Sequence, residues 1–227
     1  MRYFCVFDFE TDGVDTDVCN PVQVACAMID PYNLNMVEGS KFCSDMRPLG
    51  INNLDTYLTP EREKTIKFHC MHQKCTKEEL LDKWRNAPST HVVWKQFCSH
   101  VNIYNKEDKQ FTAPVPCGAN IRNFDLPITK KLNEKYKIGK LFNYEVVDIR
   151  DLAFYWLSWD TSLTSRSMDS LRKYFGISDT NAHDAWQDVL DSTEIISRFL
   201  KLHKKLYNDI KFKNSFKEKA ASVGPDV

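Results

Sequence analysis

No stretch of this chain approaches the roughly 20 consecutive apolar residues that cross a bilayer as a helix, and neither charge is in excess, since 31 Lys and Arg balance 31 Asp and Glu over 227 residues. The first absence argues against a membrane-spanning helix. The second argues against a broad basic surface, because sequence-independent binding of nucleic-acid phosphates needs clustered Lys and Arg. A compact site of carboxylates stays open, because divalent cations bound there would supply the positive charge themselves. The eight cysteines follow no repeated spacing. Asp8 and Glu10 interrupt the early apolar run, so neither a disulfide framework nor a secretory leader is expected, and the expected setting is cytoplasmic and reducing. No internal repeat or low-complexity block is present. With 42% hydrophobic and 27% charged residues, the chain has the composition of a globular protein burying one sizeable core. One domain is expected over 1–207, followed by a Lys-rich tail over 208–227.

Strand signals come first. Arg2 to Phe9, Pro21 to Ile29 and Met36 to Phe42 read as strands, with turn chemistry at Asp30-Pro31 and Asn33 to Asn35 suggesting a meander. Helices follow. Thr59 precedes Pro60 as an N-cap, Thr76-x-x-Glu79 is a capping box, and Val93, Phe97 and Val101 recur every four residues. Thr112 to Asn120 reads as a strand that Pro114 and Pro116 would place near an edge. Asn123 to Tyr136 reads as a helix, Tyr144 to Asp148 as a short strand and the segment through Trp156 as a helix. Ser167 to Gly176 carries both caps of another helix, and Asp184 to Tyr207 is the last and longest. Strands first and strand-helix alternation later predict an α/β fold, a mixed sheet with helices on its faces.

Three motifs carry chemistry. The first, Asp8-Phe9-Glu10-Thr11-Asp12-Gly13, closes an apolar run from Tyr3, and carboxylates ending a buried strand are costly unless a cation compensates them. Asp8 and Glu10 have the two-residue period of a strand, so both side chains point to one side and can share a hard cation; alone, such a pair also fits exposed surface charges. The second, Asn120-Ile121-Arg122-Asn123-Phe124-Asp125, ends a strand and begins a helix, where Asp125 also fits as an ordinary first-turn acid. The third, His183-Asp184-Ala185-Trp186-Gln187-Asp188, opens the final helix, with Asp188 beside the apolar stripe Ala185, Val189, Ile196 and Leu200.

In this order, Asp8, Glu10, Asp125, His183 and Asp188 resemble the DEDDh branch of the DnaQ-like 3′-to-5′ exonucleases, within the ribonuclease H-like superfamily, from Tyr3 to about Leu206. The stretch Ser167 to Ile177 is similar to the family's helix and Gly turn ahead of its catalytic His. The resemblance implies a ribonuclease H-like mixed sheet, an antiparallel meander and then parallel strands, with helices on both faces. It implies two Mg2+ or Mn2+ ions held by Asp8, Glu10, Asp125 and Asp188, with His183 as general base for the attacking water and nucleoside 5′-monophosphates as products. Thr11, Asp12, Asn120 and Phe124 are the implied substrate contacts. The implied substrates are 3′ ends of single-stranded DNA or RNA, with DNA favoured, and a polymerase or other replication or repair protein is the implied partner. Alternatives are an exonuclease-like binding module without turnover and an exoribonuclease. Many relatives have a His where this chain has Ala119, and the family's His-Gly-Ile-Thr turn corresponds to His72-Gln73-Lys74-Cys75-Thr76.

Three further features have local readings. His69, Cys70, His72 and Cys75 offer N and S donors for zinc, though structural zinc sites usually use two separated pairs. Trp156 and Trp159 could stack on bases or pack in the core. Lys130, Lys131, Lys135, Lys137 and Lys140 read as a solvated helix face and its following loop.

Overall fold

The computed structural model describes residues 1–178 and 184–210. Its centre is a five-stranded sheet in the order β3-β2-β1-β4-β5. β1 (Phe4–Thr11) and β2 (Pro21–Ile29) are antiparallel, β3 (Phe42–Asp45) continues the meander, and β4 (Val115–Gly118) and β5 (Val147–Asp148) add parallel strands beyond β1. The mixed sheet expected from the sequence is therefore present. Helices α1 (Leu54–Tyr57), α2 (Pro60–Gln73), α3 (Lys77–Asn86) and α4 (Thr90–Asn102) separate β3 from β4, and α5 (Asp125–Tyr136) joins β4 to β5. α6 (Ile149–Leu157), α7 (Met168–Phe175) and α8 (Ala185–Ile210) follow β5.

The two-residue alternation of β1 and β2 feeds both faces of the sheet. Cys5, Phe7, Phe9, Val24, Cys26 and Met28 pack with α4 and α5 residues such as Trp94, Phe97 and Leu132, while Val6, Ala25, Ala27 and Ile29 pack with α6, α7 and α8. A sheet covered on both faces needs apolar residues at nearly every position. The small Ala25 and Ala27 side chains let α8 lie close over β2. A third cluster, built on Tyr57, Ile66, Leu80, Leu81 and Trp84, roofs the start of β2 through Val22.

Two strand expectations need correction. The third strand starts at Phe42, and Met36 forms only an isolated bridge to Ile29. Met28 explains the difference: its carbonyl accepts from the Val37 N–H at 2.7 Å, and its own N–H is donated to the Ser40 hydroxyl at 3.0 Å. A serine side chain thus replaces a ladder bond, and the chain turns through Gly39 at φ +73° before pairing resumes. The two prolines, expected near an edge, sit in β4 or just before it, between β1 and β5. The Val115 N–H donates toward β1 at the Tyr3 carbonyl, 2.8 Å away, so the missing N–H groups of Pro114 and Pro116 face the other flank. There β5 pairs only with Cys117 and Gly118, and no ladder bond is lost.

Helix ends follow their sequence signals. Thr59, Thr76 and Ser167 each accept a backbone N–H as N-caps, the Thr76/Glu79 capping box closes in both directions, and Gly176 ends α7 in the left-handed conformation at φ +68°. Trp156 packs against the cluster beneath α8, while Trp159 is 94% exposed. Lys131 departs from the solvated-face reading, because its ammonium donates to the Thr16 and Cys19 carbonyls at 2.7 Å each. It ties α5 to the loop after β1. All eight cysteines are unpaired thiols, and no helix among the described residues is long and apolar enough to cross a membrane.

Candidate functional site

β1 outruns its parallel neighbour. Its pairing with β4 covers only Phe4 to Val6, so Asp8 and Glu10 emerge where the sheet has β2 on one side and the β4–α5 turn on the other. β4 can lie this close because it ends in Gly118, where a Cβ would stand 3.0 Å from the Phe7 carbonyl oxygen. On that flank the Phe9 N–H has no strand partner and donates to Asp125 Oδ1 at 3.0 Å. Asp125, only 2% exposed, is thus placed by the sheet it adjoins as well as by its position at the first turn of α5.

The third motif arrives from above. The Asp184 carboxylate caps α8 by accepting the N–H groups of Trp186 and Gln187, and the Ala185 N–H donates to Gln23 Oε1 at 2.9 Å, pinning the helix start to β2. One turn on, Asp188 faces Asp8 and Glu10, and one carboxylate oxygen from each of the three lies within 4.8 Å of the others. Asp125 stands outside this tight group, yet its charge is felt by both β1 acids. His183 lies outside the described residues.

These acids are held against their usual ionisation. Burial, then the charges of Asp125, Glu10 and Asp188, push the Asp8 carboxyl well above the carboxylate range, with Arg172 opposing. Burial and the Asp188, Asp184 and Asp125 charges push Glu10 to about 8. Burial raises Asp125 to about 7 despite the opposing Phe9 N–H. The protein thus gathers more negative charge than its own cations neutralise, and a donor set of carboxylate oxygens suits hard divalent ions such as Mg2+ or Mn2+.

Arg172 is a partner that the motifs did not reveal. Only 2% of its side chain is exposed, and it donates to Asp188 Oδ1 at 2.6 Å, Asp191 Oδ2 at 2.6 Å and Asp169 Oδ1 at 3.2 Å. Nothing in the sequence separates it from the basic residues that commonly close a helix. Asp148 is a second such residue: it accepts the N–H groups of Asn120, Arg122 and Arg150, and so stitches the second motif to the start of α6. Its place at a strand end preceding a helix was the available signal.

The remaining sequence candidates divide. Phe124, Thr11 and Glu10 line one cavity of about 360 Å3, together with Phe9, Gly13, Val14 and Phe68. The Thr11 hydroxyl donates to the Gly13 carbonyl at 2.6 Å, and Thr11 is 6% exposed. Asp12 is fully buried and is occupied by the Asn20 N–H and side-chain amide, the Tyr57 hydroxyl at 2.9 Å and the Arg62 guanidinium at 3.1 Å. Its carboxylate braces the turn after β1 against α1 and α2. The Asn120 backbone is left-handed at φ +59°, and its Oδ1 accepts from Arg150 at 2.8 Å and Asn123 at 3.2 Å. The zinc reading of His69, Cys70, His72 and Cys75 fails on geometry. His69 turns inward to the Thr11 carbonyl, and among the described residues the one cluster of three or more acids, histidines or cysteines able to hold a metal is Asp8, Glu10 and Asp188.

No family model matches the chain. Exodeoxyribonuclease I of Buchnera aphidicola subsp. Acyrthosiphon pisum is 25% identical over 213 residues, 90% of this chain and 48% of its own length. The chain is similar in sequence to this exodeoxyribonuclease. It spans about half the length of the curated relative it matches. The fold of the chain is shared with E. coli exonuclease I in complex with a dT13 oligonucleotide, at a TM-score of 0.61 and 18% identity over 92% of this chain and 43% of that one. It is shared too with cell-death related nuclease 4, at a TM-score of 0.62 and 16% identity over 89% of this chain and 64% of that one.

Proposed function

We propose that this chain is a metal-dependent 3′-to-5′ exonuclease that shortens single-stranded DNA. The observation that carries the reading is the convergence of Asp8, Glu10 and Asp188 within 4.8 Å, in a chain similar to a protein named exodeoxyribonuclease I and sharing the fold of an exonuclease I solved with a dT13 strand. Asp8, Glu10 and Asp188 would hold one divalent cation, and Asp8 with Asp125 a second. When bound, such a pair stabilises the charge on the attacking and leaving oxygens of an in-line displacement at phosphorus.

The chain's own side chains do the remaining work. Arg172 steadies the Asp188 carboxylate through Oδ1 at 2.6 Å. The cavity beside Glu10, walled by Phe9, Phe68 and Phe124, has an apolar lining suited to the terminal base and sugar, while the Glu10 carboxylate at its edge would accept from the 3′-hydroxyl. A pocket of this kind gives affinity through aromatic contact and orientation through one polar group. His183, at the family's general-base position, would take the proton from the attacking water, a task suited to an imidazole titrating near neutral pH.

The test is incubation of the pure chain with 5′-labelled DNA and RNA strands, with free and blocked 3′ ends, in Mg2+ or Mn2+. Stepwise shortening of unblocked strands, with release of nucleoside 5′-monophosphates, is expected. Binding without shortening in every arm would indicate instead a nucleic-acid-binding module without turnover, and faster shortening of RNA an exoribonuclease.

A further inference from the structure

His69 was set aside above as a zinc ligand, and its surroundings suggest a different use. It sits on α2, 58 positions from Thr11, yet its ring is 2% exposed and its Nε2 lies 2.8 Å from the Thr11 carbonyl oxygen. A carbonyl can only accept, so Nε2 carries the proton and donates, and Nδ1 is left as an acceptor. That Nδ1 is buried without a hydrogen-bond partner and stands 4.0 Å from Glu10 Oε2. Trp84 meets the ring edge-on at 5.6 Å between centroids, fixing its plane. Burial is the main cause lowering its proton affinity.

The bond falls at a break in the sheet. Glu10 pairs with Gln23 across β2, but the next residue, Thr11, pairs with Pro21, so the register slips by one between them. An irregularity of this kind re-aims the side chains beside it, and here the neighbouring side chain is Glu10. The ladder alone does not fix backbone direction at such a slip; a donor on the Thr11 carbonyl does. A buried polar nitrogen left unpaired costs stability, and a hydrophobic side chain of similar size would have filled the same space without that cost.

We propose that His69 is a positioning residue for Glu10: by holding the Thr11 carbonyl at the register slip, it fixes the direction in which the Glu10 carboxylate leaves β1 and so preorganises the cation site. This rests on reading Asp8, Glu10 and Asp188 as that site. Residues that orient metal ligands from behind typically change metal affinity about 10- to 100-fold when removed.

The experiment compares Mn2+ affinity, from electron paramagnetic resonance titration of the metal, in the wild-type chain and in His69→Leu, His69→Gln and His69→Asn, with circular dichroism and melting without metal as fold controls. The Gln amide can place an N–H where Nε2 stands, whereas Asn falls a methylene short. We expect His69→Leu and His69→Asn to bind Mn2+ at least about tenfold more weakly, and His69→Gln to recover most of the loss. If His69→Leu does not fold, the Gln and Asn pair decides. Equal Mn2+ affinity in all folded variants, or Gln no better than Asn, would overturn the positioning role while leaving the metal site in place. A wild-type chain that binds no Mn2+ would overturn the site and this inference together. Mn2+ binding without strand shortening would refute the exonuclease reading alone and leave the His69 result to stand by itself.

Discussion

Replacing Glu10 by Gln should make the metal-free protein more stable in alkaline solution, the opposite of what removing a useful surface charge would do. In the fold the carboxyl is held at about 8 against an ordinary 4.5, by burial and by the charges of Asp188, Asp184 and Asp125. The folded state therefore keeps a proton that the unfolded state gives up, so its stability contribution is complete below pH 4.5 and declines as pH rises until the folded carboxyl itself ionises near 8. Three and a half tenfold steps in proton affinity, at about 1.4 kcal/mol each, set a ceiling of roughly 5 kcal/mol on that decline. Because the neighbouring acids share it, about 2–3 kcal/mol is a fair expectation for Glu10 alone. Gln keeps the shape of the protonated acid and never ionises. Urea unfolding in chelator at pH 5 and pH 9 should show Glu10→Gln close to wild type at the lower pH and about 2–3 kcal/mol more stable at the higher. Adding Mn2+ at pH 9 should reverse the order, because only the wild type offers a full ligand set. A variant no more stable than wild type at pH 9 without metal would refute the idea that the site stores uncompensated charge.

Arg172→Met removes the buried cation shared by Asp188 and Asp191 and should cost about 3–5 kcal/mol in chemical unfolding; a loss below about 1 kcal/mol would mean that water or other groups serve those acids equally well. Tyr57→Phe deprives the fully buried Asp12 of one hydroxyl donor, and a loss of about 1.5–3 kcal/mol is expected from urea titration. Asp8→Asn should leave melting without metal unchanged or raised, since burial and the neighbouring acids disfavour the ionised carboxylate, while removing most strand-shortening activity. Near wild-type turnover in that variant would displace Asp8 from the metal centre. His183→Ala should preserve Mn2+ affinity and lower the turnover rate, and a variant that loses both would point to a ligand rather than a base.

Most of the architecture was legible because it rests on local chemistry. The alternation in β1 and β2, the Thr76 capping box and the Gly176 stop are each written in a few adjacent residues, and each appears where its pattern placed it. β3 was misplaced because a side chain, Ser40, took a bond that a strand would have supplied. The prolines of β4 misled because their tolerance depends on how short β5 is, a fact held thirty residues away. At the site, the two-residue spacing announced the Asp8 and Glu10 pair. Arg172 and His69 could not be read in the same way, because a buried Arg or His looks like a surface one until its partners are placed across the fold. Asp12, a substrate contact by resemblance, has its carboxylate fully committed to Asn20, Tyr57 and Arg62.

Diffraction from crystals grown with Mn2+, measured at the manganese absorption edge, is the most direct measurement on the carboxylate centre. Anomalous density is predicted within bonding distance of Asp8, Glu10 and Asp188, with a second peak toward Asp125. Crystals that show no manganese at these acids, grown where the same protein in solution degrades single-stranded DNA with Mn2+, would contradict a metal centre at this place in the fold.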